Sequence, residues 1–463
     1  MSALEVPKRI HMVGIGGIGL SAIARVLAMR GHIVTGSDLR ASSTTCALNA
    51  LGIETYVGHA ASQVGEAELL IVSSAIPEDN VEVRAARGRG ILVLTRRRLL
   101  PALMRGMRGV AVAGTHGKTT TTSMISVILE RAGLDPTFIV GGILAELGTN
   151  ARAGRGDYFV IEADEYERMF HGLSPHIAVV TNVEMDHPDC YRDIAEVQEA
   201  FDLFLDGVEP GGHIVACADS ATLGRILRER DGDRADLLTY GTSPKADYLV
   251  REIEPNTRGG VDCSVWRRGE KWQALSLAVP GEHNALNATA ALIVARLCGV
   301  EGEKVAGTLA DFAGVLRRFE IKGVQDDVVV IDDYAHHPTE VRATLAAARG
   351  RYPRRRIWAV FQPHTYSRTL ALLDEFASCF DDADQVIITD IYPARAHEEP
   401  IIRAKELVGA VDHDDVTHVG SIERVVDHLL DELRSGDLLL TLGAGDGYLI
   451  GERVLARLGQ RRV

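Results

Sequence analysis

Gly114-Thr115-His116-Gly117-Lys118-Thr119-Thr120-Thr121 is the run in this 463-residue chain whose residue types speak most directly of chemistry. It follows the apolar run Gly109-Val110-Ala111-Val112-Ala113 and leads into a helical pattern expected to start near Ser123. Glycines let backbone N–H groups approach phosphate, a helix N-terminus favours negative charge, and a lysine at this place reaches β and γ phosphates. The Thr119 hydroxyl is the group such a loop offers to Mg2+. The general P-loop spacing would put glycine at the position of Val112, so the run is a shorter variant. A chance Gly/Thr-rich turn is the bland alternative, and the strand and helix on either side weigh against it.

A nucleotide site that does more than bind needs further metal ligands. Glu162 ends the run Tyr158-Phe159-Val160-Ile161, and His187 lies in the loop that follows Ile177-Ala178-Val179-Val180. Both fall at carboxyl ends of expected parallel strands, the edge where open α/β sheets hold ligands. Asp164, Glu165 and Asp186, in the same loops, are expected to be solvated surface, the commoner fate of acidic residues.

Two other turns carry signals. Gly14-Ile15-Gly16-Gly17-Ile18-Gly19 fits G-x-G-x-x-G after a strand, with Asp38 ending the next strand. That pattern suits NAD, FAD or any nucleotide diphosphate equally. Asp332-Asp333-Tyr334-Ala335-His336-His337-Pro338 and Gln362-Pro363-His364-Thr365-Tyr366-Ser367-Arg368-Thr369 follow two neighbouring strands. His337, just before proline, is expected to cap a helix, whereas His364 and Arg368 together can grip a small carboxylate.

The elements that must position these residues follow a βα rhythm repeated in three zones. The fold class expected is α/β with three domains: a Rossmann-like domain over 1–97, a P-loop ATPase domain over 98–316, and a second Rossmann-like domain over 317–463. Arg96-Arg97-Arg98 marks the first boundary, and short alternating runs between Tyr240 and Pro280 suggest a small antiparallel insertion in the parallel central domain. A net charge of −14 disfavours nucleic acid and anionic membrane. The six scattered cysteines read as buried thiols of a reducing, cytoplasmic compartment. Lys8-Arg9 before an uncharged run resembles a signal peptide, but four glycines within it and helical spacing beyond Arg25 oppose that reading, and no apolar stretch reaches the roughly 18 residues of a membrane span.

In this order, a diphosphate turn, GTHGKTTT, and a final zone with DDYAHHPTE and QPHTYSRT resemble the Mur ligases over nearly the whole chain, including Pro280-Gly281-Glu282-His283-Asn284-Ala285-Leu286-Asn287 and Arg318-Phe319. The resemblance implies ATP-dependent addition of an amino acid, L-alanine in the branch it matches best, to the lactoyl carboxylate of UDP-N-acetylmuramate through an acyl phosphate. ATP and Mg2+ are then the cofactors, and a monomer or homodimer with no nucleic acid and no membrane insertion is expected. By the same resemblance Gly16, Gly17, Ile18 and Gly19 hold the UDP diphosphate, with Asp38, His59 and Ser74 near the uridine. Gly114, Thr115, His116, Gly117, Lys118, Thr119 and Thr120 cradle the ATP phosphates, and Thr119, Glu162 and His187 hold magnesium. Asn284, Asn287, Arg318 and Asp333 complete the ATP site; Tyr334, His336, His364 and Arg368 surround the incoming amino acid. Lys118, His336 and Arg318 are the expected catalytic residues.

Two departures stand out. The carbamylated lysine of other Mur ligases has no counterpart between Lys118 and Lys245, where Asp202 falls near the expected place, and the alanine-adding branch shares that absence. Glu165-Tyr166-Glu167 also stands where many relatives have Glu-Ser-Asp. Three other readings compete: a ligase adding a preformed peptide, an NAD-linked oxidoreductase resting on GIGGIG and Asp38, and a UDP-sugar sensor without chemistry.

Overall fold

The computed structural model describes residues 4–230, 235–394 and 399–460. Three sheets carry the chain, and Cα proximity divides it into two units. The first comprises Met1–Val183, Gln198–Tyr248 and Ala290–Thr308, and the second Glu184–Val197, Leu249–Thr289 and Leu309–Val463.

The first unit begins with a five-stranded parallel sheet in the order Glu54–Val57, Ile33–Asp38, Arg9–Val13, Leu69–Val72, Leu92–Thr95. Met12 pairs with Gly36 on one side and Ile71 on the other. The order reverses between Arg9–Val13 and Leu69–Val72, so the turn at Gly14–Gly19 opens at the topological switch point, where a doubly wound sheet leaves a crevice. The helix Ile18–Met29 buries Leu20, Ala22, Ile23, Val26 and Leu27 between this sheet and the strands Thr137–Leu144 and Thr149–Arg152. Each large aliphatic side chain so covered contributes about 1.5 to 3 kcal/mol.

The unit continues with parallel strands Asp236–Gly241, His213–Cys217, Ile177–Val180, Arg108–Ala113, Tyr158–Glu162 and Thr137–Leu144, with Thr149–Arg152 antiparallel at the edge. Runs such as Val110-Ala111-Val112-Ala113 and Ile177-Ala178-Val179-Val180 are fully buried, as strands covered on both faces must be. The helix after the phosphate loop begins at Lys118, not near Ser123. Its polar first turns are stable because hydroxyls bond back four residues: Thr122 Oγ1 donates to the Lys118 carbonyl at 2.7 Å, Ser123 Oγ to Thr119 and Ser126 Oγ to Thr122. Arg96-Arg97-Arg98 likewise opens a helix, Arg96–Met104.

The second unit takes in the strand Tyr248–Pro255 from Leu249 onward, then Val261–Arg267 and Glu270–Ser276, the last two antiparallel with a bulge at Val265/Trp266. Its six-stranded sheet runs Glu320–Gln325, Val328–Asp333, Leu438–Leu442, Ile357–Phe361, Gln385–Ile388, Val416–His418, parallel except for the first strand. Val328–Asp333 and Ile357–Phe361, the strands that release the two polar turns, are not neighbours as expected: Leu438–Leu442 runs parallel between them, so both turns still open at the same edge of this sheet. Cys46 is exposed and Cys190 half-buried, while the other four cysteines are buried, so the expectation of buried thiols fails at those two positions. Among the described residues no helix is long and apolar enough to cross a membrane.

Candidate functional site

In the first unit the phosphate loop is stitched from behind. Gly117 takes a left-handed conformation, φ 79°, which ends the loop and starts the helix at Lys118. Gly114 lies at φ 136°, and a Cβ there would stand 1.9 Å from Thr181 Oγ1. Thr181 Oγ1 donates to the His116 carbonyl at 2.5 Å, and the Asn182 side chain accepts from the His116 N–H at 2.9 Å. The Asn182 carbonyl accepts from Thr115 N–H at 3.1 Å. Thus the end of the neighbouring strand fixes the loop, a role the loop sequence does not announce.

Lys118 Nζ donates to the Gly114 and Thr115 carbonyls at 2.6 and 3.0 Å and to Glu165 at 2.8 Å. Burial alone would lower its pKa, but the Glu165, Asp164 and Glu162 carboxylates outweigh that and hold it above its ordinary value. Glu165 is only 3% exposed, which overturns the expectation of a solvated carboxylate: the loop after the strand folds onto the lysine because a half-buried ammonium needs a counter-charge. Asp164 is half-buried and paired with Arg96.

Glu162 accepts from Thr119 Oγ1 at 3.0 Å and from the Gly141 N–H at 2.6 Å. Burial pushes its carboxyl above the usual range despite Lys118 and those donors. A half-buried carboxylate oxygen touching a loop hydroxyl is a hard-oxygen donor set, and a bound cation would offset its desolvation, so these residues fit Mg2+. A Cβ at Gly141 would lie 2.6 Å from Glu162 Oε2, which explains glycine there. Thr115 is buried, and Thr120 lies half-buried on the helix.

At the N-terminal turn Asp38 Oδ2 accepts from the Gly16 N–H at 2.9 Å, so this acid braces the turn itself. Gly17 N–H donates to the Gly14 carbonyl, Ile18 is 51% exposed, and Ser74 is exposed just beyond the strand Leu69–Val72. His59 Nδ1 lies 3.1 Å from Glu82 and 3.0 Å from Ser37 Oγ. Glu82 is fully buried, and its pKa falls below the ordinary value: burial opposes the shift, but His11, Ser37 and His59 outweigh it. Sequence reading did not single out Glu82; a lone glutamate two residues after an Asn cap gives no hint of its partners.

In the second unit, Asp186, His187, His336, His364 and Arg368 gather with Glu340. Arg368 is 4% exposed and donates from Nε to Asp186 Oδ1 at 2.7 Å. Its Nη1 lies 3.2 Å from His364 Nδ1 and its Nη2 3.4 Å from His187 Nδ1. Burial alone would raise the Asp186 carboxyl, but the Arg368 guanidinium holds it well below the usual range. Asp186 is therefore the second acid expected on the surface and found buried, because only a carboxylate compensates a guanidinium out of water. His187 takes φ 54°, a strained value for a non-glycine residue.

His336 Nδ1 lies 2.9 Å from the Tyr334 carbonyl and 3.2 Å from Glu340. That network assigns the proton to Nδ1 and leaves Nε2 as an acceptor. Burial pushes the imidazole down to about 3. The His364 ring stacks on Tyr392 at 5.7 Å and meets His336 edge-on at 5.9 Å. His337 caps the helix Pro338–Arg351 by accepting from Thr339 N–H, as its place before proline suggested. Asp333 accepts the N–H groups of Ala335 and Phe319, both at 2.7 Å, and burial raises it to about 6. Arg318 lies over the Tyr334 ring and 3.7 Å from Glu340. Its neighbours Arg317 and Phe319 hold positive φ of 63° and 49°. Asn284 donates to the Pro280 carbonyl at 2.7 Å, and Asn287 Nδ2 lies 3.3 Å from Asn284 Oδ1. Asp202, near the place of the carbamylated lysine, pairs with Arg230.

Comparison with known proteins gives three family models. The Mur ligase family catalytic domain matches 9–108, the Mur ligase middle domain 112–295 and the Mur ligase glutamate ligase domain 317–445. A protein named UDP-N-acetylmuramate--L-alanine ligase from Caldanaerobacter subterraneus subsp. tengcongensis is 44% identical, with 98% of each chain covered. One of the same name from Syntrophotalea carbinolica is 45% identical over 98% of this chain and 99% of its own. Among solved structures, UDP-N-acetylmuramate-alanine ligase from Thermotoga maritima superposes with a TM-score of 0.83 at 29% identity, covering 98% and 99% of the two chains. A murein peptide ligase from Psychrobacter arcticus gives 0.73 at 25% identity over the same shares.

Proposed function

Because this chain belongs to the Mur ligase family, we propose that it joins L-alanine to the lactoyl carboxylate of UDP-N-acetylmuramate, driven by ATP. The observation that carries this reading is the match, over 98% of the chain, to relatives bearing that activity in their names. In this reading the turn of Gly16, Gly17, Ile18 and Gly19 takes the diphosphate, the Ile18 and Gly19 amides donating to it while Gly16 and Gly17 hold the turn's shape, with Asp38, His59 and Ser74 toward the uridine. The loop from Gly114 to Thr120 takes the ATP phosphates, and Asn284, Asn287, Arg318 and Asp333 the rest of the nucleotide. Thr119, Glu162 and His187 would hold magnesium, which when bound neutralises phosphate charge.

A lactoyl carboxylate oxygen attacks the γ-phosphorus, the bond to ADP breaks, and Lys118 and Arg318 stabilise the charge on the transferring group. The alanine amine then attacks the acyl carbonyl and phosphate leaves. Arg368, His364 and Tyr334 hold the amino acid, and His336 Nε2 receives a proton from its nitrogen. Burial, which holds this imidazole down to about 3, keeps it neutral and accepting at physiological pH, so it aligns the amine and hands the proton to the departing phosphate.

The test is phosphate release with substrates omitted one at a time. Release is expected only with ATP, UDP-N-acetylmuramate and L-alanine together, and glycine should be slower by about tenfold. The peptide-adding alternative, whose solved representative superposes less well, predicts release with L-alanyl-γ-D-glutamyl-meso-diaminopimelate instead. Turnover of that tripeptide without turnover of alanine overturns the proposal.

A further inference from the structure

Arg96 opens the helix Arg96–Met104 directly after Thr95, the last residue of the outer strand of the N-terminal sheet. Its guanidinium lies against the glycine turn: a Cβ at Gly19 would stand 2.4 Å from Arg96 Nη1. The third glycine of the motif therefore makes room for a cation where the usual purpose is close helix–strand packing. Arg96 is a quarter exposed, and its Nη2 donates to Asp164 Oδ2 at 2.9 Å.

The turn beside it is short of negative charge. The helix Ile18–Met29 has no acidic residue in its first turn and no side-chain cap at Gly17. Its leading N–H groups have no intrahelical acceptor and carry the positive end of the helix dipole. The carboxylate of Asp38 is already engaged by the Gly16 N–H. A guanidinium facing such a turn supplies what backbone amides lack for a diphosphate: a full positive charge and a planar donor fork.

We propose that Arg96 is a further diphosphate-binding residue, which clamps the nucleotide diphosphate against the Gly16–Gly19 turn. This rests on reading that turn as the site of the UDP moiety. Asp164 holds the guanidinium over the turn in the free protein and shares it with the phosphates once they arrive. Because Asp164 lies between Glu162 and Glu165, the same arginine ties the diphosphate turn to the loop that faces Lys118.

Titration calorimetry of the full chain with UDP and with uridine tests this. Arg96→Gln should weaken UDP by about ten- to a hundredfold, the worth of a charge-assisted hydrogen bond, and leave uridine unchanged. Arg96→Lys, which keeps the charge but not the fork, should lose less. Equal weakening of both ligands, or unchanged UDP affinity in Arg96→Gln, overturns the proposal. Wild-type protein that binds neither ligand removes the UDP reading of the turn itself, a result distinct from either of these.

Discussion

Lys118, half-buried, and Arg368, buried, are cations each held by a buried carboxylate, yet the two regions are built by opposite means. Lys118 sits in one contiguous run and is ringed by the loop's own carbonyls, with Glu165 as the added partner. Arg368 has its Nε committed to Asp186, 182 residues away, and its remaining nitrogens against two histidines. The first is a point charge in a cradle of loop carbonyls; the second is a fork whose place depends on a distant carboxylate. A local motif therefore specifies chemistry cheaply, while an assembled cluster makes binding geometry hostage to the fold.

The largest expected effect sharpens the first half of that contrast. Lys118→Ala should lower phosphate release in the presence of all three substrates by about a thousandfold, and turnover at the wild-type rate would remove this lysine from the chemistry. Asp186→Asn should destabilise the fold by about 3 to 5 kcal/mol, since it strands a buried guanidinium. Urea unfolding measures this, and joint replacement of Asp186 and Arg368 by apolar residues should recover much of the loss. Glu165→Gln, by contrast, should cost only about 1 to 2 kcal/mol because the loop carbonyls remain; a loss equal to that of Asp186→Asn would erase the distinction.

Two smaller effects bound the comparison. Burial holds His283 down to about 4, against about 6.5 unfolded, so the unfolded chain takes the proton first and stability falls as pH drops from about 6.5 to 4. His283→Gln should flatten part of that decline in urea midpoints measured across the range, and should leave the pH dependence above pH 7 the same as in the wild type. Asp202→Asn should change turnover by less than about twofold, because a half-exposed pair with Arg230 contributes little. A large loss there would make Asp202 a stand-in for the missing carbamylated lysine.

Much of this arrangement was legible beforehand where residues adjacent in sequence act together. The phosphate loop, the glycine turn, the strands that precede them and the His337 cap all announce themselves through local spacing. The helix start at Lys118 was not legible, since a run of threonines reads as loop until their hydroxyls are seen to bond carbonyls four residues back. Glu165 and Asp186 were misread as surface because an acidic loop residue carries no local mark of burial. Nothing local to Arg96 announces that its guanidinium lies against the glycine turn.

By itself the sequence determined the βα rhythm, the order of the motifs and the family, all properties of short-range pattern. Only the tertiary structure decided which carboxylate answers which cation, which glycine yields to a guanidinium, and which acid braces a turn. Those pairings are settled by desolvation: a charge removed from water accepts whatever counter-charge the packed sheets bring within about 3 Å, and that distance is not written along the chain.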